Sequence, residues 1–222
     1  MRIDDYVAEL DRALAGPHGA KRDLVVEARD SLTDTADALE AEGLDRVEAE
    51  RVAVAEFGQV AEVAPGYQAE LTASAGRRLG FLLFISVPMT ALMWSVIWRL
   101  YPGNELTWQH APVWYMPVSR LLDVLQLGVG LYGGLALFAL SRGARWIRRP
   151  RLVTRSLGVL VWAMLPVTGV FSVALTLGAN GASQVAALPS VLANVVTSAF
   201  WGLQIYGATR CLRVSRPRLA RS

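Results

Sequence analysis

Few side chains in this chain of 222 residues could carry out covalent or metal chemistry. It contains two histidines, His18 and His110, and a single cysteine, Cys211. One cysteine allows neither an intrachain disulfide nor a thiolate metal cluster, and two widely separated histidines do not indicate a zinc site. The sequence lacks a phosphate-binding glycine loop, a His-Glu-x-x-His pair and a serine nucleophile elbow. We therefore predict no catalytic residue, no metal and no cofactor, and we expect a protein that is not an enzyme.

The pair of residues best suited to ion or proton chemistry is Arg120 and Asp123. They are three residues apart, so they lie on one face of a helix and can pair there. Asp123 falls inside an apolar segment, where a proton or cation site is the functional alternative to a structural ion pair. A single carboxylate is poorly suited to relaying protons or cations across a membrane. Four polar residues of the fourth apolar segment are expected to join helices by hydrogen bonds: Asn194, Thr197, Ser198 and Gln204.

The elements that position these residues are indicated by an uneven distribution of charge. Residues 1–71 contain 17 of the 19 acidic residues and seven basic ones. Residues 72–222 contain 15 arginines and only two acidic residues. The net charge of +3 therefore averages values near −10 and near +13. Such a split is typical of a water-soluble acidic domain joined to a membrane domain whose basic loops stay on one side.

Four continuous apolar segments in the basic part are long enough to cross a membrane as helices. About 20 helical residues span a hydrocarbon core of about 30 Å. The predicted fold is all-α, with a small cytoplasmic three-helix module followed by a four-helix transmembrane bundle. The predicted spans are residues 79–98, 121–141, 157–178 and 185–209. Around them we expect an acidic module over residues 1–71, a basic linker over 72–78 and a basic tail over 210–222.

The arginines beside the spans predict the orientation of the chain. Arg77 and Arg78 precede the first span, and five arginines follow the fourth. Short basic loops stay in the cytoplasm, so we expect both termini on the cytoplasmic side of a bacterial inner membrane. The link between the second and third spans is the candidate contact for anionic lipid or for the acidic module. Its arginines are Arg142, Arg145, Arg148, Arg149, Arg151 and Arg155.

The loop on the opposite side, Arg99–Val118, is rich in aromatic residues. We interpret it as an interfacial aromatic belt, with a ligand-sensing or partner-binding surface as the alternative. His110 in this loop is expected to be solvated, and a pH-sensing role is its alternative. Cys211, just after the fourth span, is expected to be buried, with acylation as the alternative. The aromatic residues in or beside the loop are Trp98, Tyr101, Trp108, Trp114 and Tyr115.

Small residues and prolines in the spans predict close packing and bending of helices. Gly130 and Gly134 form one small-xxx-small pair, and Ser198 and Gly202 form another. Such pairs let helices approach closely, within the bundle or between protomers, so a homo-oligomer is compatible with the sequence. Two prolines fall in mid-span and should kink the first and third of these helices: Pro88 and Pro166.

Residues 1–71 show the periodicity of three amphipathic helices. Gly16-Pro17 separates the first helix from the second, and Gly43 ends the second. Asp45 is the expected N-cap of the third helix, with Glu48 completing a variant of the capping box. A short fourth segment is expected to be interrupted at Pro65-Gly66. The predicted core residues are Ile3, Val7, Leu10, Leu14, Leu24, Val25, Ala28, Leu32, Ala36, Leu39, Ala49, Val52, Ala53 and Phe57.

The acidic residues of the second helix share one face, since they recur every three or four positions. We take this face as the candidate partner-binding surface, although a merely solvated face is the alternative for any single residue. The candidate residues are Glu27, Asp30, Asp34 and Asp37.

Two stretches of the module carry a resemblance to a known family. Residues 42–64 read EGLDRVEAERVAVAEFGQVAEVA, and residues 6–14 read YVAELDRAL. This part of the chain resembles HAAS, also called the permease prefix domain, whose members are bacterial membrane proteins that often accompany PadR-type transcriptional regulators. The resemblance implies a non-enzymatic membrane regulatory or signalling protein whose module binds a cytosolic or membrane protein partner, and it implies no catalytic residue. A transporter or permease subunit is the alternative. Direct nucleic-acid binding is not expected, because an acidic domain is repelled by phosphates.

Overall fold

The computed structural model of the chain describes residues 1–100, 112–142, 150–178 and 188–215. These residues form seven α-helices and no strand, so the predicted all-α fold is confirmed for the described part of the chain. The chain divides into two compact units: Met1–Ser74 together with the chain from Arg213 onwards, and Ala75–Leu212. The helices are α1 (Ile3–Ala13), α2 (His18–Ala41), α3 (Arg46–Phe57), α4 (Val60–Leu100), α5 (Tyr115–Ser141), α6 (Pro150–Gly178) and α7 (Leu188–Val214).

The first unit is built from α1, α2, α3 and the start of α4 around one apolar core. Leu10 and Leu32 are completely buried in this core, as the helical spacing predicts, and so is Tyr6, which the predicted core did not include. Gly43, with a φ of 105°, ends α2 in a conformation that favours glycine. Asp45 is the N-cap of α3 and accepts hydrogen bonds from the backbone of Val47 and Glu48. The N-cap is therefore confirmed. The Glu48 side chain, however, pairs with Arg51.

The expected interruption at Pro65-Gly66 is wrong, because α4 runs unbroken from Val60 to Leu100. Pro65 and Gly66 are both exposed, so water can solvate the carbonyl that proline leaves without an intrahelical donor. Val60 and Leu71, on either side, are buried in the core of the first unit and hold this part of α4 in place. Residues 72–78, predicted as a linker, are helical in the structure, and the boundary between the two units falls between Ser74 and Ala75.

The second unit contains four helices that are long and apolar enough to cross a membrane. In the structure α4, α5 and α6 begin earlier than the predicted spans, at Val60, Tyr115 and Pro150, because helix continues into the flanking sequence. The last helix, α7, is described from Leu188 to Val214, so it starts later than the predicted span of residues 185–209 and also ends later. Much of the surface of these helices is apolar and exposed, as at Leu135 (68% exposed) and Leu92 (67% exposed). Such a surface is unfavourable in water and suits hydrocarbon.

Glycines allow the close approach of α4 to α5. A Cβ added at Gly133 would lie 2.7 Å from the Cβ of Leu83, and one at Gly80 would lie 2.8 Å from the Gly133 carbonyl oxygen. A Cβ at Gly158 on α6 would lie 2.9 Å from Leu212 on α7. The predicted use of glycine in packing is therefore confirmed on α5. A Cβ at Gly202, in contrast, would meet nothing within 4 Å.

Polar side chains join helices inside the second unit. Gln204 on α7 donates to the Ser86 hydroxyl on α4 at 2.9 Å, and Ser86 is almost fully buried. Near the other end of these two helices, Trp94 donates from Nε1 to the Thr197 hydroxyl at 3.2 Å. The predicted hydrogen-bonding role is thus confirmed for Gln204 and Thr197. Asn194 instead donates to the Ser190 carbonyl of its own helix.

Candidate functional site: the acidic face of the N-terminal module

The acidic face of α2 is exposed along its length. Glu27, Asp30, Asp34 and Asp37 are all exposed, while Ala28, Leu32 and Ala36 on the opposite side are buried. Burial of the apolar side fixes the rotation of the helix, so the carboxylates must point away from the core.

A shallow, open depression follows this acidic face. Its lining includes four acidic residues and one arginine, together with Val26 and small polar residues: Asp23, Glu27, Asp30, Asp34 and Arg22. Val26 is an apolar side chain that remains 45% exposed beside the acidic residues. A partner surface could therefore bury a small apolar group at Val26 while its basic side chains meet the surrounding carboxylates.

The four predicted carboxylates fall into two groups in the structure. Asp37 pairs with Arg46, which also binds Glu40 at 3.0 Å and Glu50 at 3.4 Å. Hydrogen bonds to Asp37 and then Glu40 raise the pKa of the Arg46 guanidinium. Asp37 therefore helps to fasten α2 to α3.

The carboxylates nearer the middle of α2 do not form ion pairs with another helix that the structure describes. Glu27, Asp30 and Asp34 form no ion pair with any residue that the structure describes. Exposed carboxylates on a rigid helix that form no ion pair within the protein attract basic groups of another molecule. These three are the stronger candidates for contact with a partner.

Tyr6 joins α1 to the end of α3 inside the module. Its hydroxyl donates to the Gly58 carbonyl oxygen at 2.9 Å, and its ring packs edge-on against Phe57. Burial raises the pKa of Tyr6, and Tyr67 and Glu9 raise it further. The hydrogen bond joins α1 to Gly58, the residue that ends α3. Gly58 has a φ of 97°, a conformation that favours glycine.

Gln68 on α4 holds two distant segments of the chain in the same unit. Its side-chain amide accepts from Ala15 N and donates to Ala15 O, both at 2.8 Å, and also donates to Val214 O at 3.4 Å. Val214 is buried in the core of the module, which also contains Leu71. Residues near the end of α7 thus complete this core. Sequence reasoning missed this contact, because no local pattern links residue 214 to residue 68.

Arg120 and Asp123 do not form the ion pair that their spacing allows. Both side chains are exposed on α5, and no ion pair joins them to each other or to another described residue. They therefore lie on the outside of the second unit.

Three of the six arginines predicted to contact lipid or the module are described. Arg142, Arg151 and Arg155 are all exposed. Arg142 lies over the ring of Phe138, 4.4 Å from its centroid. Several predicted residues, and the side chain of Trp98, lie outside what the structure describes: Arg145, Arg148, Arg149, Tyr101, Trp108 and His110.

No group of three His, Cys, Asp or Glu side chains within the described ranges could hold a metal ion. Cys211 is fully buried, as expected, and its thiol donates to the Ala75 carbonyl at 3.5 Å.

The module matches a known family. Residues 5–66 fit the family profile named HAAS, which extends from α1 into the first turns of α4. The match lies within the N-terminal module, Met1–Ser74. No curated protein and no solved structure matches the chain. The chain therefore carries a HAAS domain attached to four helices able to span a membrane.

Proposed function

We propose that this protein is a non-enzymatic regulatory protein of the bacterial cytoplasmic membrane, and that its HAAS domain binds a protein partner through the acidic face of α2. The observation that carries the proposal is the HAAS match over residues 5–66, because HAAS is a protein-interaction module. The exposed carboxylates of Glu27, Asp30 and Asp34 support the choice of surface, since they form no ion pair with a described residue.

The proposed partner presents a basic surface with a small apolar contact. A PadR-type transcriptional regulator is the partner class that the family resemblance implies. Capture of such a regulator at the membrane would remove it from DNA without any contact between this chain and nucleic acid. The acidic charge of the module supports this indirect role, because the α2 face would repel phosphates.

The proposed orientation places both termini in the cytoplasm. Most arginines of the second unit come just before the first predicted span, between the second and third, or at the end of the fourth, and the positive-inside rule assigns these segments to the cytoplasm. A partner in the cytosol would then reach the α2 face directly.

The test is a binding titration with the purified full-length protein in detergent and a purified PadR-type regulator from the same organism. The double variant Asp30→Arg/Asp34→Arg should weaken binding at least tenfold, about 1.4 kcal/mol or more, because it places like charges against a basic partner. Glu42→Arg/Glu56→Arg is the matched control: both residues are exposed, and the net charge changes equally.

Two outcomes would count against the proposal. If both double variants weaken binding equally, net charge governs the interaction and the α2 face is not the binding surface. If the unmodified protein does not bind the regulator at all, this partner class is wrong.

The transporter alternative depends on Asp123 reaching a solute within the bundle. Asp123 is exposed on α5 and contacts no buried polar group of the described residues. We therefore propose no transport function.

A further inference from the structure

One end of the four-helix bundle concentrates arginine, and contacts between helices show that these arginines lie at the same level. The Cys211 thiol donates to the Ala75 carbonyl, and Arg77 donates to the Leu140 carbonyl at 3.4 Å. Gly158 lies against Leu212 at this level as well. The arginines next to these contacts define the basic end: Arg78, Arg142, Arg151, Arg155 and Arg210.

The positive charge of the basic end is not balanced by acidic residues in the part of its unit that the structure describes. Among the described residues of Ala75–Leu212, Asp123 is the only acidic residue, and it lies near the opposite end of α5 from Arg142. Arg142, Arg151 and Arg155 are exposed and form no ion pair with a described residue. Such a surface favours an anionic ligand.

Arg210 adds a cation that is partly removed from water. Its Nε is buried and has no hydrogen-bond acceptor among the described residues. A guanidinium that loses hydration without gaining a carboxylate is stabilised by an anion at its outer nitrogens. Phosphate suits a guanidinium, because its oxygens accept paired hydrogen bonds.

Exposed apolar side chains border the basic end, which indicates an anion that also carries an apolar part. Phe138 beneath Arg142 is 54% exposed, and Leu135 one turn away is 68% exposed. On α6, Leu152 is exposed beside Arg151. A ligand that carries both a phosphate and acyl chains can contact the arginines and this apolar surface together.

We propose that the basic end binds the phosphate groups of anionic phospholipids, with Arg142 and Arg155 at the surface and Arg210 nearer the interior. The proposal rests on the membrane insertion proposed above and is independent of the HAAS partner. Each arginine near the headgroups should change the preference for anionic lipid about fivefold.

The test measures which lipids remain on the purified full-length protein. The protein is equilibrated with mixed micelles of equal amounts of phosphatidylglycerol and phosphatidylcholine, and the retained lipids are extracted and quantified. We expect phosphatidylglycerol to be enriched. Arg142→Gln and Arg155→Gln should each lower the enrichment about fivefold, and the double variant should lower it about 25-fold, because the two contributions add in free energy.

Arg120→Gln is the matched control, because Arg120 is also an exposed arginine of the bundle but lies near the start of α5. It should leave the enrichment unchanged. Equal retention of the two lipids by the unmodified protein, or an equal loss in Arg120→Gln, would overturn the proposal.

A second arm separates lipid from soluble phosphate. Inorganic phosphate, compared with sodium chloride at the same ionic strength, should not raise the melting temperature of the protein in phosphatidylcholine micelles, whereas phosphatidylglycerol should raise it. Equal stabilisation by inorganic phosphate would assign the basic end to a soluble anion and contradict the lipid assignment. A failed partner titration would leave both results unaffected, so the two proposals fail separately.

Discussion

The two units of this protein distribute polar and apolar residues in opposite ways. The module buries Tyr6, Leu10 and Leu32 and exposes the carboxylates of α2. The second unit exposes leucines such as Leu135 along its helices and places polar bonds, such as Gln204 to Ser86, between them. The module therefore follows the rule for a protein in water, and the bundle follows the rule for a protein in lipid. The two proposed binding surfaces of the protein reflect this difference. In the module the surface is the acidic face of α2, and in the bundle it is the basic end of the helices.

The largest expected effect is a difference in stability between replacing a buried leucine of the module and replacing an exposed leucine of the bundle. Leu32→Ala should destabilise the module by about 2–5 kcal/mol, because it leaves a cavity in a small core that is only marginally stable. Leu135→Ala should have little effect on folding, since its side chain faces outward. Hydrogen exchange of α1–α3 in the full-length protein measures the difference. Equal protection in the two variants would contradict the assignment of the cores.

The second effect concerns the glycines of the bundle. Gly133→Ala should destabilise the bundle by about 1–3 kcal/mol, because the new Cβ would lie 2.7 Å from Leu83. Gly202→Ala is the control, since a Cβ there meets nothing within 4 Å. Thermal unfolding in detergent measures both. A loss of stability in Gly202→Ala as large as that in Gly133→Ala would indicate a contact outside this chain, such as a second protomer.

The third effect tests the contribution of α7 to the module. Val214→Ala should reduce the protection of the module by about 1 kcal/mol, because it removes methyl groups from the core around Leu71. Val195→Ala, on the exposed side of α7, serves as the control. Hydrogen exchange of residues 60–71 measures the change. If the two variants leave these residues equally protected, Val214 does not belong to the core.

The smallest effect is the pH dependence that Tyr6 introduces. Its pKa in the folded protein lies above the ordinary value of 10.0, so the unfolded chain ionises first. The stabilisation from this residue is therefore full below pH 10 and declines as the pH rises above it. Tyr6→Phe should lose about 1 kcal/mol at neutral pH, through loss of the bond to Gly58, and should show a shallower decline above pH 10. Melting temperatures across this range test the difference, and parallel curves would contradict it.

Local signals made the first three helices predictable. Apolar spacing identified Leu10 and Leu32 as core residues, and Gly43 and Asp45 marked where α2 ends and α3 begins. These features act over a few residues, so the sequence displays them directly. Pro65 misled the prediction because burial on either side outweighs its local preference.

Long-range contacts could not be predicted in the same way. The polar residues of α7 indicated hydrogen bonding, but nothing in the sequence identified Ser86 as the partner of Gln204. Val214 falls near the end of an apolar helix and gives no sign that it packs in the module. The acidic face was predicted from spacing, whereas the pairing of Asp37 with Arg46 depends on the packing of α2 against α3.

The most direct test of the central proposal is photo-crosslinking in living cells. A photoreactive amino acid is placed at Val26, within the acidic face, and in a second protein at Glu56, an exposed position on α3. We predict that illumination yields a covalent adduct with one cytosolic protein from position 26, that position 56 gives none, and that Asp30→Arg/Asp34→Arg abolishes the adduct. An adduct from position 56 but not from position 26, or one that survives the charge reversal, would contradict the account.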